Sequence, residues 1–201
     1  MSDTGVHMSV DSALGALARR RQDQVVVSTM TAIAPWRAKG GTDRDLVCQG
    51  FMGGASTFGL GVALARPDVP VWIIDGDGSL AMQLGSLVTI ANAAPRRFLH
   101  VVMHNGVYDT SGAQPLPAEG RISFTGLAES AGYAKAVRFE DAESFDASLD
   151  ELLEVDGPVL VELMTQPLNA FYTLQPPSDT PRTPPLAQTW PGVHDALARD
   201  A

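Results

Sequence analysis

Apolar residues fall along this chain in two alternating patterns. Short dense runs occur at 24–29 (QVVVST), 69–75 (VPVWIID), 98–105 (FLHVVMHN), 133–139 (YAKAVRF) and 158–165 (PVLVELMT). They are too short for stable helices, rich in β-branched residues and bounded by Gly, Pro or polar residues. Such runs predict strands buried on both faces. Between them, apolar positions recur at helical spacing. Residues 11–20 place Leu14, Leu17 and Ala18 on one side, with Asp11 as the expected cap. Residues 55–66 are small and apolar and stop at Pro67, despite the helix cost of Gly59 and Gly61. Residues 79–94, stopped at Pro95, 124–132 and 142–154 predict three further helices. The stretch 35–46 (PWRAKGGTDRDL) is polar and glycine-bearing and reads as a connection, and 106–123 reads as a long Gly/Pro-containing loop. Strands alternating with helices predict an α/β fold, a parallel sheet with helices on both faces.

The length of 201 residues suits one domain with appendages. The expected divisions are an N-terminal segment with a short helix at 1–23, an α/β domain at 24–166 and a Pro-rich C-terminal arm at 167–201. Six of the 14 prolines fall between 176 and 191, with a short helix expected at 191–199. An arm of this kind either wraps a neighbouring subunit or hangs free. With 45% apolar residues the chain can build a core. The net charge of −9 argues against nucleic acid or an anionic membrane as partner, since the field repels phosphate at long range. A small anionic ligand, held by local donors, stays open. The single Cys48 excludes an internal disulfide and a Cys-rich zinc site and reads as a packed core residue. The opening MSDTGVHMSV lacks a signal-peptide layout, and no apolar stretch approaches the ~20 residues of a membrane span, so the expectation is a soluble, cytoplasmic protein.

The strongest chemical signal is Gly76-Asp77-Gly78-Ser79, at the passage from a buried strand to a helix. Ligands bind there in open α/β sheets. Glycine lets a ligand approach the main chain, and free N–H groups at a helix start favour an anion. A carboxylate in that position repels a bare phosphate, but suits a divalent cation lying between the two. The next parallel strand ends at His104-Asn105-Gly106-Val107, and the 26 residues between Gly78 and Asn105 make one helix plus one strand. Asn105 can therefore offer its amide oxygen to an ion held by Asp77, with the Val107 carbonyl as a third ligand.

A GDG, a spacer of this length and an Asn closely resemble the diphosphate- and metal-binding fingerprint of thiamine diphosphate-dependent enzymes. The resemblance runs from about 24 to 166. GFMGGASTFGLGVALARP, at 50–67, is similar to the glycine-rich segment ahead of the fingerprint. HNGVYDTSGAQP, at 104–115, resembles the matching loop of sulfopyruvate decarboxylase beta subunits and phosphonopyruvate decarboxylases. The resemblance implies a thiamine diphosphate-binding fold, with thiamine diphosphate and Mg²⁺ as cofactors. It implies that Asp77, Asn105 and the Val107 carbonyl hold the metal, and that Gly76, Gly78, Ser79 and Leu80 face the diphosphate. Met52 would support the folded shape of the cofactor, and the Gly50 carbonyl would accept from its pyrimidine amine. Thr29 and Ser28 would offer hydroxyls or simply cap a strand end, and relatives tend to carry Thr-Gly where this chain has Thr29-Met30. His104 replaces the first Asn of a common Asn-Asn pair and either faces substrate or ends a strand. His7, His100 and His194 carry no pattern. Asp77→Ala is expected to abolish Mg²⁺-dependent cofactor binding and leave the fold intact.

In this family a glutamate on a second, pyrimidine-binding domain activates the cofactor. The carboxylates at Glu140, Asp141, Glu143, Glu151 and Glu154 read instead as a solvated helix face. The resemblance therefore implies a diphosphate-binding subunit of a split 2-oxo acid decarboxylase, completed by a separate pyrimidine-binding subunit. A carboligase subunit and a non-catalytic scaffold with the same fold are the alternatives. A nicotinamide dehydrogenase fits poorly, because no GxGxxG follows the first strand. Arg37, Lys39 and Arg121 are candidates for an anionic substrate head group.

Overall fold

The computed structural model describes residues 7–168 and 186–199. Helix α1 (Val10–Arg19) leads into β1 (Val25–Thr29). A turn of 3₁₀ helix and the short α2 (Ile33–Ala38) follow, then β2 (Asp45–Cys48) and α3 (Ala55–Ala65). Strand β3 (Val71–Gly76) runs directly into α4 (Asp77–Ala81), which is followed by α5 (Gly85–Ala93) and β4 (Phe98–His104). The small β5 (Val107–Tyr108) and β6 (Gln114–Pro115) pair antiparallel to each other. Helix α6 (Phe124–Ala131), β7 (Lys135–Phe139), α7 (Ala142–Leu153) and β8 (Pro158–Met164) complete the domain, and α8 (Leu186–Arg199) stands beyond it.

Six strands form one all-parallel sheet in the order β2-β1-β3-β4-β8-β7. Period-two alternation sends their side chains into two cores. Val25, Val27, Val71, Ile73 and Leu160 meet α3, α5 and α6 on one face. Val26, Trp72, Ile74, Val101 and Val161 meet α1, α2 and α7 on the other. The three-layer α/β arrangement expected from the runs is thus the one observed. Gly59 now has a reason: a Cβ there would sit 2.1 Å from Ile73 Cδ1, so α3 lies against β3 only because that position is bare. Among the described residues no helix is long and apolar enough to cross a membrane.

Four local expectations change. Helix α1 is capped by Ser9, whose side chain accepts from Ser12 N–H, and Asp11 lies in its first turn instead. Residues 35–46 are more than a connection, since they hold the end of α2 and the start of β2. Asp45 opens that strand buried, its carboxylate met by Arg21, the Trp36 indole N–H and the Thr42 N–H. The helix expected at 79–94 is two helices. Bonds from Met82 N to Ser79 O and from Gln83 N to Leu80 O tighten the chain into 3₁₀-type turns before it restarts at Gly85. The loop at 106–123 contains the small β5–β6 hairpin.

The arm divides in two. Residues 169–185 lie outside the described residues, and with them most of the segment expected to wrap or hang free. Helix α8 begins earlier than expected and contains Pro191. It lies on its own domain: Val193 and Ala196 are buried, Trp190 stands edge-on to Phe58 at 5.5 Å, and Arg199 pairs with Asp43 at 2.6 Å.

Candidate active site

The strand order reverses direction between β1 and β3. A crevice opens at such a point, outside the carboxyl ends of the strands. Here β1 delivers Met30, β2 leads to Met52, β3 delivers Gly76 and Asp77, and β4 delivers Asn105. All of these line one cleft, together with Val107 and Tyr108 from the loop after β4. A larger cavity lies at the opposite ends of the strands, bordered by Arg19, Arg20 and Arg97. Its cations are occupied, Arg19 and Arg20 by Asp146 and Asp150 and Arg97 by the Asp68 carbonyl, and none of the fingerprint residues reaches it.

Asp77 is the first residue of α4, with Gly76 as cap, so GDG is a strand-to-helix junction with no intervening turn. Its buried carboxylate accepts three main-chain N–H groups. Oδ1 takes Gly78 N–H at 2.7 Å, and Oδ2 takes Asn105 N–H at 3.0 Å and Gly106 N–H at 2.7 Å. Burial pushes its pKa up, while the Gly106 and Gly78 N–H groups and the nearby His104 pull it down, leaving it raised. The side chain therefore ties the start of α4 to the turn after β4. Asn105 Oδ1 accepts Val107 N–H at 3.0 Å, closing the same turn. A carboxylate offers about four acceptor positions and an amide oxygen two, so both groups retain acceptor capacity. Open space lies beside Gly76, where a Cβ would meet nothing within 4 Å. Carboxylate, amide and carbonyl oxygens are the donor set of a hard divalent cation, so the residues present fit Mg²⁺.

The other expected residues divide. Met52 lines the cleft. Gly50 is exposed at φ +72°, a conformation glycine adopts freely. A Cβ on Gly78 would fall 2.7 Å from the Tyr108 ring. Ser79 Oγ accepts Gly53 N–H at 3.0 Å, holding the glycine-rich segment against α4. Leu80 places its side chain in the core and does not border the cleft, so only its main chain is left for a ligand. Thr29 Oγ1 donates to the Cys48 carbonyl at 2.9 Å and joins β1 to β2, so it does not border the cleft. Ser28 Oγ is buried without a partner. The next residue, Met30, does border the cleft and stands at φ +48°, a left-handed conformation costly for a side-chain-bearing residue. Arg37, Lys39 and Arg121 do not line it, and Lys39 pairs with Asp11 at 2.5 Å.

His104 turns inward. Its Nδ1 meets Glu162 Oε1 at 2.7 Å and its Nε2 meets Glu119 Oε2 at 3.0 Å, with Asp77 Oδ2 3.9 Å away and Phe124 edge-on at 5.3 Å. The ring is 2% exposed and ends the strand without bordering the cleft. Burial pulls its pKa down, but the bonds to Glu162 and Glu119 and the charge of Asp77 outweigh that and raise it. Glu162 is pushed up by burial and pulled down further by His104 and the Thr125 N–H, so its pKa is lowered. Glu119 and Glu162 escaped the sequence reading. The available signal was a single carboxylate inside the otherwise apolar run PVLVELMT. A second buried group joins Asp75, His100 and Tyr133, with Tyr133 Oη 3.2 Å from His100 Nδ1. Burial, aided by Asp75, pushes the Cys48 thiol up to about 11, which suits its place in the core.

Residues 27–163 match the family model of the thiamine pyrophosphate enzyme, C-terminal TPP binding domain. The chain is 38% identical over 125 residues to phosphonopyruvate decarboxylase of Streptomyces viridochromogenes, covering 62% of this chain and 31% of that one. It is 40% identical over 127 residues to sulfopyruvate decarboxylase subunit beta of Methanothermobacter thermautotrophicus, covering 63% and 65%. The matched region thus spans about a third of the first relative and just under two thirds of the second. Benzoylformate decarboxylase of Polynucleobacter necessarius superposes with a TM-score of 0.68 at 17% identity, over 83% of this chain and 34% of that one.

Proposed function

The chain belongs to the thiamine pyrophosphate enzyme family, whose C-terminal TPP binding domain it carries, and from that premise we propose that it is the diphosphate-binding subunit of a split 2-oxo acid decarboxylase. The observation that carries this reading is the convergence of Asp77, Asn105 and Val107 at one mouth of the crevice. Asp77, the Asn105 amide oxygen and the Val107 carbonyl would hold Mg²⁺. The main chain at Gly76, Gly78, Ser79 and Leu80 would hold the diphosphate, and Met52 and the Gly50 carbonyl the thiazolium–pyrimidine end. Thiamine diphosphate supplies an electron sink for the bond to the departing carboxylate.

The work of the chain's own residues is binding, orientation and exclusion of water. Asp77 joins α4 to the turn after β4, so the metal ligands are fixed by main-chain bonds before any ligand arrives. Met30, Met52 and Met103 make the cleft wall apolar around that polar end. The activating glutamate is assigned to a separate pyrimidine-binding subunit, in keeping with the word subunit in the name of the Methanothermobacter relative. The substrate class is a 2-oxo acid with an anionic head group, following the sulfopyruvate and phosphonopyruvate of the relatives' names.

Calorimetric titration with thiamine diphosphate tests the cofactor assignment, with and without Mg²⁺ and with and without a co-expressed partner subunit. Saturable binding that requires Mg²⁺ is expected. Equal affinity in EDTA, or no binding in either assembly, overturns it. Decarboxylation of sulfopyruvate, phosphonopyruvate and pyruvate by the mixed subunits then tests the substrate class.

A further inference from the structure

The buried group behind the cleft has a geometry that a simple strand end does not need. His104 lies between two carboxylates, one on the sheet and one on a loop. Glu162 is wholly buried on β8, and its second oxygen accepts Thr125 N–H at 3.2 Å, in the first turn of α6. Glu119 belongs to the loop that runs from Gly106 to α6. Both ring nitrogens face carboxylate oxygens, so a doubly protonated ring would donate to both.

The Glu119 carboxylate also lies on the main chain of Gly106. A Cβ at Gly106 would come 2.9 Å from Glu119 Cδ, and Gly106 itself stands at φ +76°. Gly106 is flanked by Asn105 and Val107, and its N–H is the shortest of the bonds to Asp77 Oδ2. Leu116 N–H donates to the Gly106 carbonyl at 2.8 Å, so the loop returns to the same residue from both directions. The Gly106 peptide is thereby bonded to Asp77 in front and packed against the Glu119 carboxylate behind, and Glu119 is anchored through His104 to the centre of the sheet.

We propose that Glu119 is a positioning residue, which through His104 and Glu162 locks the Asn105–Gly106–Val107 turn in register with Asp77 and so sets the strength of metal binding. The metal-binding half of this statement rests on the cofactor reading above. The locking half does not, because it concerns bonds present without any ligand. Outer partners of metal ligands commonly change metal affinity 10–100-fold.

The test compares wild type, Glu119→Ala and Glu119→Gln in the full chain. Glu119 is partly exposed, so both variants are expected to fold, Glu119→Gln with little change in melting temperature and Glu119→Ala with a drop of a few degrees, because His104 Nε2 loses its acceptor. Amide hydrogen exchange without ligand is read first. Glu119→Ala is expected to speed exchange about ten-fold at residues 105–118 and to leave the strands β1, β3 and β8 unchanged. Glu119→Gln, which still accepts from the imidazole, is expected to restore much of the protection. Unchanged exchange in the loop, or acceleration spread over the whole sheet, overturns the lock. The Mg²⁺ concentration for half-maximal thiamine diphosphate binding is read next, in the complex with the partner subunit. It is expected to rise about ten-fold in Glu119→Ala, with cofactor affinity at saturating Mg²⁺ unchanged. No rise, in a wild type that binds, refutes the metal half. A wild type that binds no cofactor refutes the function proposed above, while the exchange result still decides the lock.

Discussion

Replacing Asp77 separates structure from chemistry if the right two variants are compared. Asp77→Ala removes the acceptor of three N–H groups, from Gly78, Asn105 and Gly106. A buried donor left without a partner costs about 1–3 kcal/mol. Asn105 N–H is only partly buried and counts toward the low end. Against this loss stands a gain, because the ligand-free chain no longer buries a carboxylate whose pKa burial has raised. The expected net loss is about 2–5 kcal/mol, a large part of the ~5–15 kcal/mol of an ordinary domain. A chain that loses this much still folds, but with a loosened site, so that variant alone cannot distinguish a lost ligand from a disturbed one. Asp77→Asn keeps an oxygen toward Asn105 and Gly106 and removes the charge, so it should cost no more than about 1–2 kcal/mol. Urea unfolding of the ligand-free chain measures both, and calorimetry measures Mg²⁺-dependent cofactor binding, expected to vanish in both. An Asp77→Ala chain within about 0.5 kcal/mol of wild type refutes the bonding argument. An Asp77→Asn chain that keeps Mg²⁺-dependent affinity refutes the metal assignment.

Two further outcomes are expected. Met30→Gly relieves a left-handed residue at a cost in unfolded-chain entropy; strain of about 1–2 kcal/mol against about 0.5–1 kcal/mol leaves a net gain of up to about 1.5 kcal/mol. A lower urea midpoint would show that the side chain's contacts outweigh its strain. The His104–Glu162 pair gives a pH signature. The raised His104 pKa supplies stability that is complete below its ordinary 6.5 and is lost as pH climbs through the elevated value. The lowered Glu162 pKa supplies stability that is complete above its ordinary 4.5 and is lost as pH falls through the depressed value. Relative to Glu162→Gln, the ligand-free wild type should therefore lose stability as pH rises above 6.5 and through the elevated His104 value, and a flat difference across that rise counts against the pairing.

The legible part of the fold was the part written in long repeats. Runs such as 98–105 and 158–165 announce strands buried on both sides because each residue faces a helix layer. β2 was missed because four residues are too few to show a period, and its first, Asp45, is charged. Its burial depends on Arg21 and Trp36, which are remote in sequence. The break between α4 and α5 was hidden by an unbroken apolar pattern across it. At the site, Asp77 and Asn105 were legible because a strand-helix-strand unit fixes their separation. Glu119 and Glu162 were not, since their relation to His104 exists only after β8 has crossed to the far side of β4.

Every open sheet has two outer strands whose unpaired peptide groups invite foreign chains. On the β2 side that invitation is withdrawn by the last helix, whose Thr189 hydroxyl stands 3.5 Å from the outward N–H of Val47. On the β7 side, Lys135 and Arg138 put cations along the open strand. Removing the last 16 positions, from Leu186 onward, would thus do more than shorten a tail: it would bare one strand edge to pairing with another chain while the other flank stayed guarded by charge.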